Sequence, residues 1–497
     1  MIIEPVENPG ALSAVAARLD GGPGRVLLES APSGAGHGRW SFLAARPFVW
    51  LRAWGASCEL RQGSRVQWLY GDPWMLLERL LARYDLGTLA GPDGMPLGGC
   101  FGYWGYDLKH FVEPRLPRRA AADLGLPDLC VGFYDSLVAF DHLESRSWIV
   151  STGLLPDGTQ DSGQARRRAD WWRTRVAGAG AKPSADDSDA LPAWHEPVSN
   201  LGRAAYVDLV TRALDYIAAG DIYQVNLAQR LTWPGGVDPW RLHARLAKFS
   251  PAPFAGVIDA GEFALVSASP EQFLRLSGNR IRTRPIKGTR PRSADPVVDE
   301  ALAVELRASP KERSELVMIT DLLRNDLGRV CEFGSVRVPD LMRHERFPQV
   351  HHLVSTVEGR LRDDVTHLSA LASCFPGGSI TGAPKVRAME IIEELEPVTR
   401  GPYTGCLGYL GFNRESQLAI AIRTAVCLRD RTCLHVGAGI VAESDPEAEY
   451  DETLAKAAGF KLALDPRAGG DTPAATTVAP SVAGALTNRG GVCLDLP

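Results

Sequence analysis

The sequence predicts a globular fold built from both helices and strands, because segments of the two kinds alternate along most of the chain. Strand-like runs rich in β-branched, aromatic and leucine residues occupy 25–29 and 39–54. Leucines with helical spacing follow Asp72 and Pro73, which suit the N-cap and the first position of a helix over 72–84. Of the 497 residues, 45% are apolar and 23% are charged, which is ordinary for a globular protein.

The other elements follow from the same patterns. A hairpin is predicted over 58–70, with its turn at Gln62 and Gly63. Helices are predicted at 165–176, 207–220, 309–329, 385–395 and 445–457. Strands are predicted at 128–141, 148–152, 222–233, 263–267, 280–284 and 435–440.

Composition divides the chain into four parts. Residues 1–176 form an N-terminal region of short strands and helices. Residues 177–200 hold Gly, Ala, Pro, Ser and Asp, with almost no large apolar residue before Trp194, so a linker is expected there. Apolar periodicity returns over 201–464, the expected catalytic region. Residues 465–497 are rich in Gly, Ala, Thr and Pro, which predicts a disordered tail.

Charge and cysteine usage narrow the class of protein. A net charge of −5 gives no reason to expect nucleic acid. No run of 18 apolar residues occurs, so no membrane span is expected, and the N-terminus lacks the pattern of a secretory signal. Nine cysteines without a CxxC pair suggest buried thiols in a reducing compartment, and a cytoplasmic protein is expected.

Two of the predicted helices, 309–329 and 445–457, each carry a pair of acidic residues on one face. Spacing of three residues places the members of a pair one turn apart. The four carboxylates are Glu312, Glu315, Glu449 and Glu452. Carboxylates without His or Cys suit a hard cation such as Mg²⁺. On spacing alone, however, two solvated acidic faces are the favoured interpretation.

Two further segments could bind anions. Residues 282–292 follow a strand and are dense in cations around Lys287 and Gly288, which indicates either an anion site or a basic surface turn. Residues 375–385 form a Gly-rich loop before a helix but lack P-loop spacing. The cysteine of 405–408 looks like an amidotransferase nucleophile. Its strand-like surroundings favour a buried structural thiol.

Taken together, these motifs resemble the chorismate-utilising enzymes, which include anthranilate synthase component I, aminodeoxychorismate synthase component I, isochorismate synthase and salicylate synthase. The resemblance is strong over about 195–465 and weaker before it. The matching motifs occur in family order at 220–227, 269–273, 285–292, 315–322, 352–355, 382–385 and 437–456. The resemblance implies an α+β fold with two face-packed antiparallel sheets flanked by helices, in four layers. The N-terminal part, 1–176, resembles that of anthranilate synthase component I.

The resemblance also implies roles for individual residues. Glu315 and Glu452 match the Mg²⁺ ligands, and Glu312 and Glu449 match supporting carboxylates that act through water. Glu271 matches the proton donor. His352 matches a histidine near the reacting ring, and Lys287 completes the implied catalytic set. The positions that match substrate-binding residues are Gly288, Thr289, Tyr409, Arg423, Gly437, Gly439 and Lys456.

Two positions sort the branches of the family. Water-adding members have a lysine base where this chain has Gln224, and a neutral amide cannot deprotonate water. Anthranilate synthases typically carry alanine where this chain has Lys287, whereas a lysine there is the mark of aminodeoxychorismate synthases. The resemblance therefore implies that Lys287 attacks chorismate and that ammonia then displaces it, giving 4-amino-4-deoxychorismate for 4-aminobenzoate and folate biosynthesis.

The resemblance implies a partner, because the chain has no recognisable glutaminase domain. Ammonia would come from a separate glutamine amidotransferase subunit. Ser30, Arg39, Trp40 and Pro253 resemble parts of the tryptophan pocket of anthranilate synthases, although a core strand and turn explain them equally well. Two alternatives remain open: anthranilate synthase component I, and a catalytically silent tryptophan-binding subunit.

Overall fold

The computed structural model describes residues 1–7, 10–19, 22–30, 38–89, 91–92, 94–177, 194–347 and 350–468. The helices are α1 (Leu12–Arg18), α2 (Pro73–Arg83), α3 (Lys109–Val112), α4 (Ser162–Ala177), α5 (Arg203–Ala218), α6 (Pro239–Phe249), α7 (Pro296–Ala308), α8 (Pro310–Gly328), α9 (His367–Cys374), α10 (Lys385–Leu395), α11 (Pro446–Lys456) and α12 (Ala458–Leu464).

The strands are β1 (Ile2–Val6), β2 (Arg25–Glu29), β3 (Trp40–Ala44), β4 (Val49–Trp54), β5 (Ser57–Gln62), β6 (Arg65–Tyr70), β7 (Gly99–Trp104), β8 (Leu129–Tyr134), β9 (Ser136–Asp141), β10 (Arg146–Ser151), β11 (Val198–Ser199), β12 (Gln224–Pro234), β13 (Phe254–Asp259), β14 (Ala264–Ser269), β15 (Gln272–Ser277), β16 (Arg280–Arg284), β17 (Ile286–Pro291), β18 (Arg337–Arg346), β19 (Val350–Arg360), β20 (Gly382–Ala383), β21 (Cys406–Gly411), β22 (Glu415–Ile420), β23 (Thr424–Cys427) and β24 (Arg431–Ile440).

The strands form two antiparallel sheets of twelve strands each. The first sheet has the order β1-β10-β9-β3-β2-β13-β14-β23-β24-β12-β11, with β20 beside β12. The second has the order β17-β19-β16-β15-β22-β21-β7-β8-β4-β5-β6, with β18 beside β19. In the first sheet β2 pairs with β13, and in the second β7 pairs with β21. Both sheets therefore combine strands from the N-terminal and the C-terminal regions. The predicted linker does not separate one sheet from the other.

Two long strands predicted from the sequence are each divided in the structure. The run 39–54 breaks between β3 and β4, where Arg46 has a φ of 58° and Pro47 follows. The run 128–141 breaks at Asp135, between β8 and β9. In each case one half lies in the first sheet and the other in the second. Apolar composition alone does not reveal where the chain passes from one sheet to the other, because both halves of each run are buried strands.

The two sheets pack face to face, and helices cover their outer faces. The core between the sheets is apolar and aromatic, with Phe42 and Val426 from the first sheet meeting Phe101 and Tyr134 from the second. Helices α1, α4, α5, α6, α10 and α12 pack on the first sheet, and α2, α8 and α9 pack on the second. This is the predicted α+β fold of two antiparallel sheets in four layers.

The predicted helix starts that position the acidic pairs are confirmed. Ser309 caps α8 and Asp445 caps α11, and in both helices a proline occupies the first turn. No helix in the described ranges is both long enough and apolar enough to cross a membrane. Residues 178–193 of the expected linker and 469–497 of the expected tail lie outside the described residues.

Candidate active site

The candidate site lies between strands β12 and β24 of the first sheet and β17 and β19 of the second. A Cβ atom built on Gly439 in β24 would stand 3.7 Å from Nζ of Lys287 in β17. The same atom would stand 2.5 Å from Nε2 of Gln224 in β12. Gln224 is buried, and its Oε1 has no hydrogen-bond partner among the described residues. The absence of a side chain at Gly439 thus leaves room beside the lysine.

Lys287 stands at an irregular point of its strand. The pairing of β17 with β19 shifts register between Lys287 and Thr289, and Gly288 between them has a φ of 69°. A side chain at Gly288 would be strained, and its Cβ would lie 2.6 Å from Leu306 Cδ1. Nζ of Lys287 lies 3.5 Å from Oε2 of Glu315, and the lysine side chain is 16% exposed. The bulge therefore brings the amine to the acidic face of α8.

The helices that carry the two acidic pairs approach each other, since Lys311 of α8 lies 3.9 Å from Glu449 of α11. Burial, followed by the charge of Glu315, raises the pKa of Glu312 on α8. Burial likewise raises the pKa of Glu449 on α11, although the Ser444 hydroxyl donates a hydrogen bond of 2.6 Å to Glu449 Oε1. The other oxygen of Glu449 is buried and has no partner among the described residues. A cation near these buried carboxylates would stabilise their charged forms.

Three lysines approach these carboxylates. Lys456 Nζ lies 2.7 Å from Oε1 of Glu452 and donates to the Gly437 carbonyl at 2.8 Å. The charge of Lys456 is the main cause of the lowered pKa of Glu452, with smaller contributions from Lys311 and Lys287. Lys311 on α8 lies 3.9 Å from Glu449 on α11. The site thus contains both signs of charge.

Glu271 lies in the connection between β14 of the first sheet and β15 of the second, and it is 7% exposed. Burial raises its pKa to about 7, even though a hydrogen bond from Ser379 and the charge of Lys287 both favour ionisation. The Ser379 hydroxyl donates to Glu271 Oε1 at 2.6 Å. A carboxyl group with a pKa near neutrality can both donate and accept a proton.

The Gly-rich loop 375–385 contributes a side chain to the site, whereas the sequence indicated a main-chain site for an anion. Its Ser379 orients Glu271, a role that spacing did not reveal. The amine of Lys385 is held by the Asp326 carboxylate at 2.7 Å and by the Cys374 carbonyl at 3.1 Å. The lysine of this loop is thus engaged by a buried carboxylate.

His352 lies on β19, opposite Thr289 of β17. Its Nδ1 stands 3.1 Å from the Gly288 carbonyl oxygen and 3.2 Å from Thr289 Oγ1. Burial lowers the pKa of His352 to about 4, and the charge of Arg423 contributes. The imidazole is therefore neutral near pH 7. Because Nδ1 donates its proton to Gly288, Nε2 is left as a hydrogen-bond acceptor.

The tyrosine at the site is Tyr403 rather than the predicted Tyr409. A Cβ atom built on Gly437 would lie 2.7 Å from the Tyr403 hydroxyl. The Tyr409 hydroxyl instead accepts a hydrogen bond from Arg275 at 2.9 Å, and its ring stacks on Phe101 in the core between the sheets. Both tyrosines belong to one Gly-rich segment, so composition could not separate them.

Arg423 is a strong candidate for binding an anion. Burial lowers its pKa, and the described residues place no carboxylate against its guanidinium. Its φ of 47° sets it apart from the neighbouring strand residues. A buried guanidinium without a protein counter-ion is stabilised by an anionic ligand. The predicted role of Arg423 therefore fits its surroundings.

Of the residues compared with a tryptophan pocket, Trp40 stacks on Phe42, whose ring contacts Tyr409. Arg39 pairs with Asp141 at 2.8 Å and lies over the Trp40 ring. Ser30 is buried at the end of β2, and Pro253 immediately precedes β13, which pairs with β2. Residues 31–37, which follow Ser30, lie outside the described residues.

Comparisons with known proteins agree on one family. A family profile described as chorismate binding enzyme matches residues 38–461. Aminodeoxychorismate synthase component 1 of Klebsiella aerogenes is 41% identical over 449 residues, which cover 90% of this chain and 95% of that protein. Anthranilate synthase component 1 of Thermus thermophilus is 45% identical over 375 residues, which cover 75% and 79%. The crystal structure of anthranilate synthase component I from Streptococcus pneumoniae TIGR4 superposes with a TM-score of 0.74 at 29% identity, covering 93% of this chain and 99% of that one.

Proposed function

This chain belongs to the family of chorismate binding enzymes, and from that premise we propose that it is the aminating subunit of an aminodeoxychorismate synthase. The observation that carries this proposal is the place of Lys287. Its amine points into the space left open by Gly439 and lies 3.5 Å from Glu315. A lysine at this point can form a covalent bond to a bound ring, which alanine cannot do.

In the proposed reaction the Lys287 amine, when neutral, attacks ring C2 of chorismate. The two ring double bonds shift from C1=C2 and C5=C6 to C1=C6 and C4=C5, and the C4–O bond breaks. Glu271 donates the proton with which the C4 hydroxyl leaves as water. Ammonia then attacks C4, both double bonds shift back, and the C2–N bond to Lys287 breaks. The new C4 nitrogen loses one proton, which returns to Glu271. Two successive displacements give 4-amino-4-deoxychorismate with retained configuration at C4. The pKa of about 7 suits Glu271 to this role.

Mg²⁺ is the proposed cofactor. Glu315 and Glu452 would bind it directly, and Glu312 and Glu449 would support it through water. The donor set fits, since it consists of carboxylates alone and includes a buried oxygen of Glu449 without a partner. When bound, the ion would hold the ring carboxylate and stabilise negative charge on it.

The chain's own residues supply the rest of an anion site. Chorismate carries two carboxylates, and each needs donors or cations. Arg423, Tyr403 and the main chain at Gly437 and Gly439 would contact them. Lys456 would complete this set, because it already bridges Glu452 and the Gly437 carbonyl.

Ammonia is proposed to come from a glutamine amidotransferase subunit. The relatives named component 1 support a two-component enzyme. Cys406 does not supply a glutaminase nucleophile, because it is fully buried in β21 and burial raises its pKa well above the ordinary thiol value. We propose the cytoplasm as its location, in keeping with the free, buried cysteines of the described residues.

One experiment tests the function. The purified chain is incubated with chorismate, Mg²⁺ and an ammonium salt, and the products are separated and identified by mass. We expect 4-amino-4-deoxychorismate. Anthranilate would instead identify the chain as anthranilate synthase component I. The similarity to the Thermus protein supports this alternative. Isochorismate would contradict the argument from Gln224, and no conversion would leave a silent tryptophan-binding subunit.

A further inference from the structure

A directed hydrogen-bond network lies on the face of β19 opposite to the candidate site. His351 alternates with His352 along the strand, so its side chain points away from the site and towards α7. His351 Nε2 lies 2.9 Å from Oδ1 of Asp299 on α7. His351 Nδ1 lies 3.0 Å from Nε2 of His344 on β18. His344 Nδ1 in turn lies 3.3 Å from Arg307 Nη1 on α7. We call Arg307, His344, His351 and Asp299 the histidine network.

The two ends of the histidine network fix the protons within it. Arg307 can only donate, so His344 Nδ1 must accept and its proton resides on Nε2. His344 therefore donates to His351 Nδ1, and the proton of His351 resides on Nε2, facing the Asp299 carboxylate. Both imidazoles are neutral in this arrangement. A further proton on either ring would remove an acceptor and place two donors face to face.

Asp299 links the network to the strand that carries the lysine. It accepts hydrogen bonds from Arg292 Nε at 2.8 Å and from the Ser293 main chain at 3.0 Å, immediately beyond β17. The bond from Arg292 is the main reason that the pKa of Asp299 is far below its ordinary value. One carboxylate thus holds the end of β17 and, through His351, the start of β19. These strands carry Lys287 and His352.

We propose that the histidine network positions the two strands that line the site, by keeping β17 and β19 in the register that pairs Lys287 with Leu353 and Thr289 with His352. This inference rests on the proposed function only in taking β17 and β19 as the strands beside which the reaction occurs. The imidazoles are buried or half-buried, and burial together with nearby positive charge lowers the pKa of His344. The charged groups that face the network from the surrounding elements are Arg292, Arg307, Arg346, Asp299 and Glu300, and the neutral imidazole of His352 is the adjacent titratable group on β19.

Substitutions at His351 separate positioning from folding. A glutamine can accept from His344 and donate to Asp299 but cannot take up a proton, whereas a leucine can do neither. We expect His351→Leu to lower kcat for chorismate disappearance roughly 10- to 100-fold with little change in KM, because a small displacement of reacting groups is enough for such a loss. The double variant His344→Gln/His351→Gln should keep most of kcat near pH 8 and fall less than the wild type as the pH is lowered through the imidazole range. His195→Gln, at an exposed histidine, is the matched control.

A spectroscopic measurement makes the test independent of turnover. Nitrogen-15 NMR of the labelled protein, assigned with the single glutamine variants, should show both rings neutral at pH 7 with their protons on Nε2. The proposal would be overturned by other tautomers or by an unchanged kcat in His351→Leu. It would also be overturned if kcat fell at low pH in the double variant as it does in the wild type. If His351→Leu does not fold, Asp299→Asn takes its place, and the same loss of kcat is expected. The expected tautomers in a chain that does not consume chorismate would count against the proposed function alone.

Discussion

Lys287 and Glu315 form an ion pair of 3.5 Å across the boundary between the second sheet and α8. The pair joins the proposed nucleophile to a proposed metal ligand. A metal ion held by Glu315 would therefore compete with the lysine for the same oxygen.

The first prediction concerns the nucleophile. Lys287→Ala should reduce amination roughly 100-fold or more, equivalent to about 2.7 kcal/mol of activation free energy. The fold should persist, because the lysine side chain lies at the edge of the site and is partly exposed. Product formation and thermal unfolding measure the two effects. Mass spectrometry of the wild type quenched with chorismate but without ammonia should find the adduct on Lys287. Wild-type rates in the alanine variant would rule out covalent catalysis there.

The second prediction concerns the metal. Glu315→Gln and Glu452→Gln should each weaken Mg²⁺ binding, measured by calorimetry and by the Mg²⁺ concentration needed for turnover. Each replaces an anionic ligand with a neutral one. Glu312→Gln and Glu449→Gln are the matched comparison on the same helices and should weaken binding less. Unchanged magnesium dependence in the first two variants would show that the ion binds elsewhere.

The third prediction uses the raised pKa of Glu271. Because that pKa lies at about 7 rather than 4.5, ionising the buried carboxyl costs the folded protein about 3 kcal/mol. The unfolded chain ionises first as the pH rises, so stability is lost between about 4.5 and about 7. Glu271→Gln, which cannot ionise, should therefore be more stable than the wild type at about pH 8, with a smaller difference at about pH 4.5. Chemical denaturation at the two values measures this.

The same variant should lose the first chemical step. Glutamine cannot protonate the departing hydroxyl, so adduct formation on Lys287 should become slow at every pH. Ser379→Ala keeps the carboxyl group but removes the hydrogen bond that favours its ionised form, and should raise the pKa of Glu271 further. Equal stability of Glu271→Gln and wild type at both pH values would mean that the carboxyl group is hydrated rather than buried.

The fourth prediction compares two tyrosines. Tyr403→Phe should raise KM for chorismate, because its hydroxyl faces Gly437 in the site. Tyr409→Phe should leave KM unchanged. It removes a hydrogen bond from Arg275 in the core and should lower the free energy of unfolding by about 1 kcal/mol. Steady-state kinetics and denaturant unfolding distinguish the two; the reverse assignment of effects would restore Tyr409 to the substrate site.

The fifth prediction concerns the source of ammonia. The isolated chain should use ammonium salts, best at raised pH where more of the ammonium is present as NH₃, and should not use glutamine. A matching amidotransferase subunit should restore glutamine use. Cys406→Ala should retain ammonium-dependent turnover because the thiol is buried core. Cys406→Ser should retain it too, with stability lowered by about 1–3 kcal/mol for the buried hydroxyl. Glutamine-dependent turnover that disappears in both variants would make Cys406 a nucleophile.

The sequence predicted the parts of the site that follow local rules. Ser309 and Asp445 were recognisable helix starts, and the acidic spacing that follows each of them sets which carboxylates share a face. The sequence could not show that these two helices approach each other, since that depends on sheet topology. Nor could it predict that Ser379 bonds to Glu271, because these residues lie far apart along the chain. It could not choose between Tyr403 and Tyr409, because both lie in near-identical sequence surroundings.

N-terminal strands pair with C-terminal strands at two places, β2 with β13 and β7 with β21. This pairing has a consequence for synthesis of the protein. When the ribosome has made the first 150 residues or so, β2 and β7 still lack their partners β13 and β21, which are encoded much later. These strands must remain exposed until the second half emerges, and unpaired strand edges invite self-association. We therefore expect a fragment ending at the linker to aggregate on expression, and a fragment beginning there to do the same, while the two made together recover the fold.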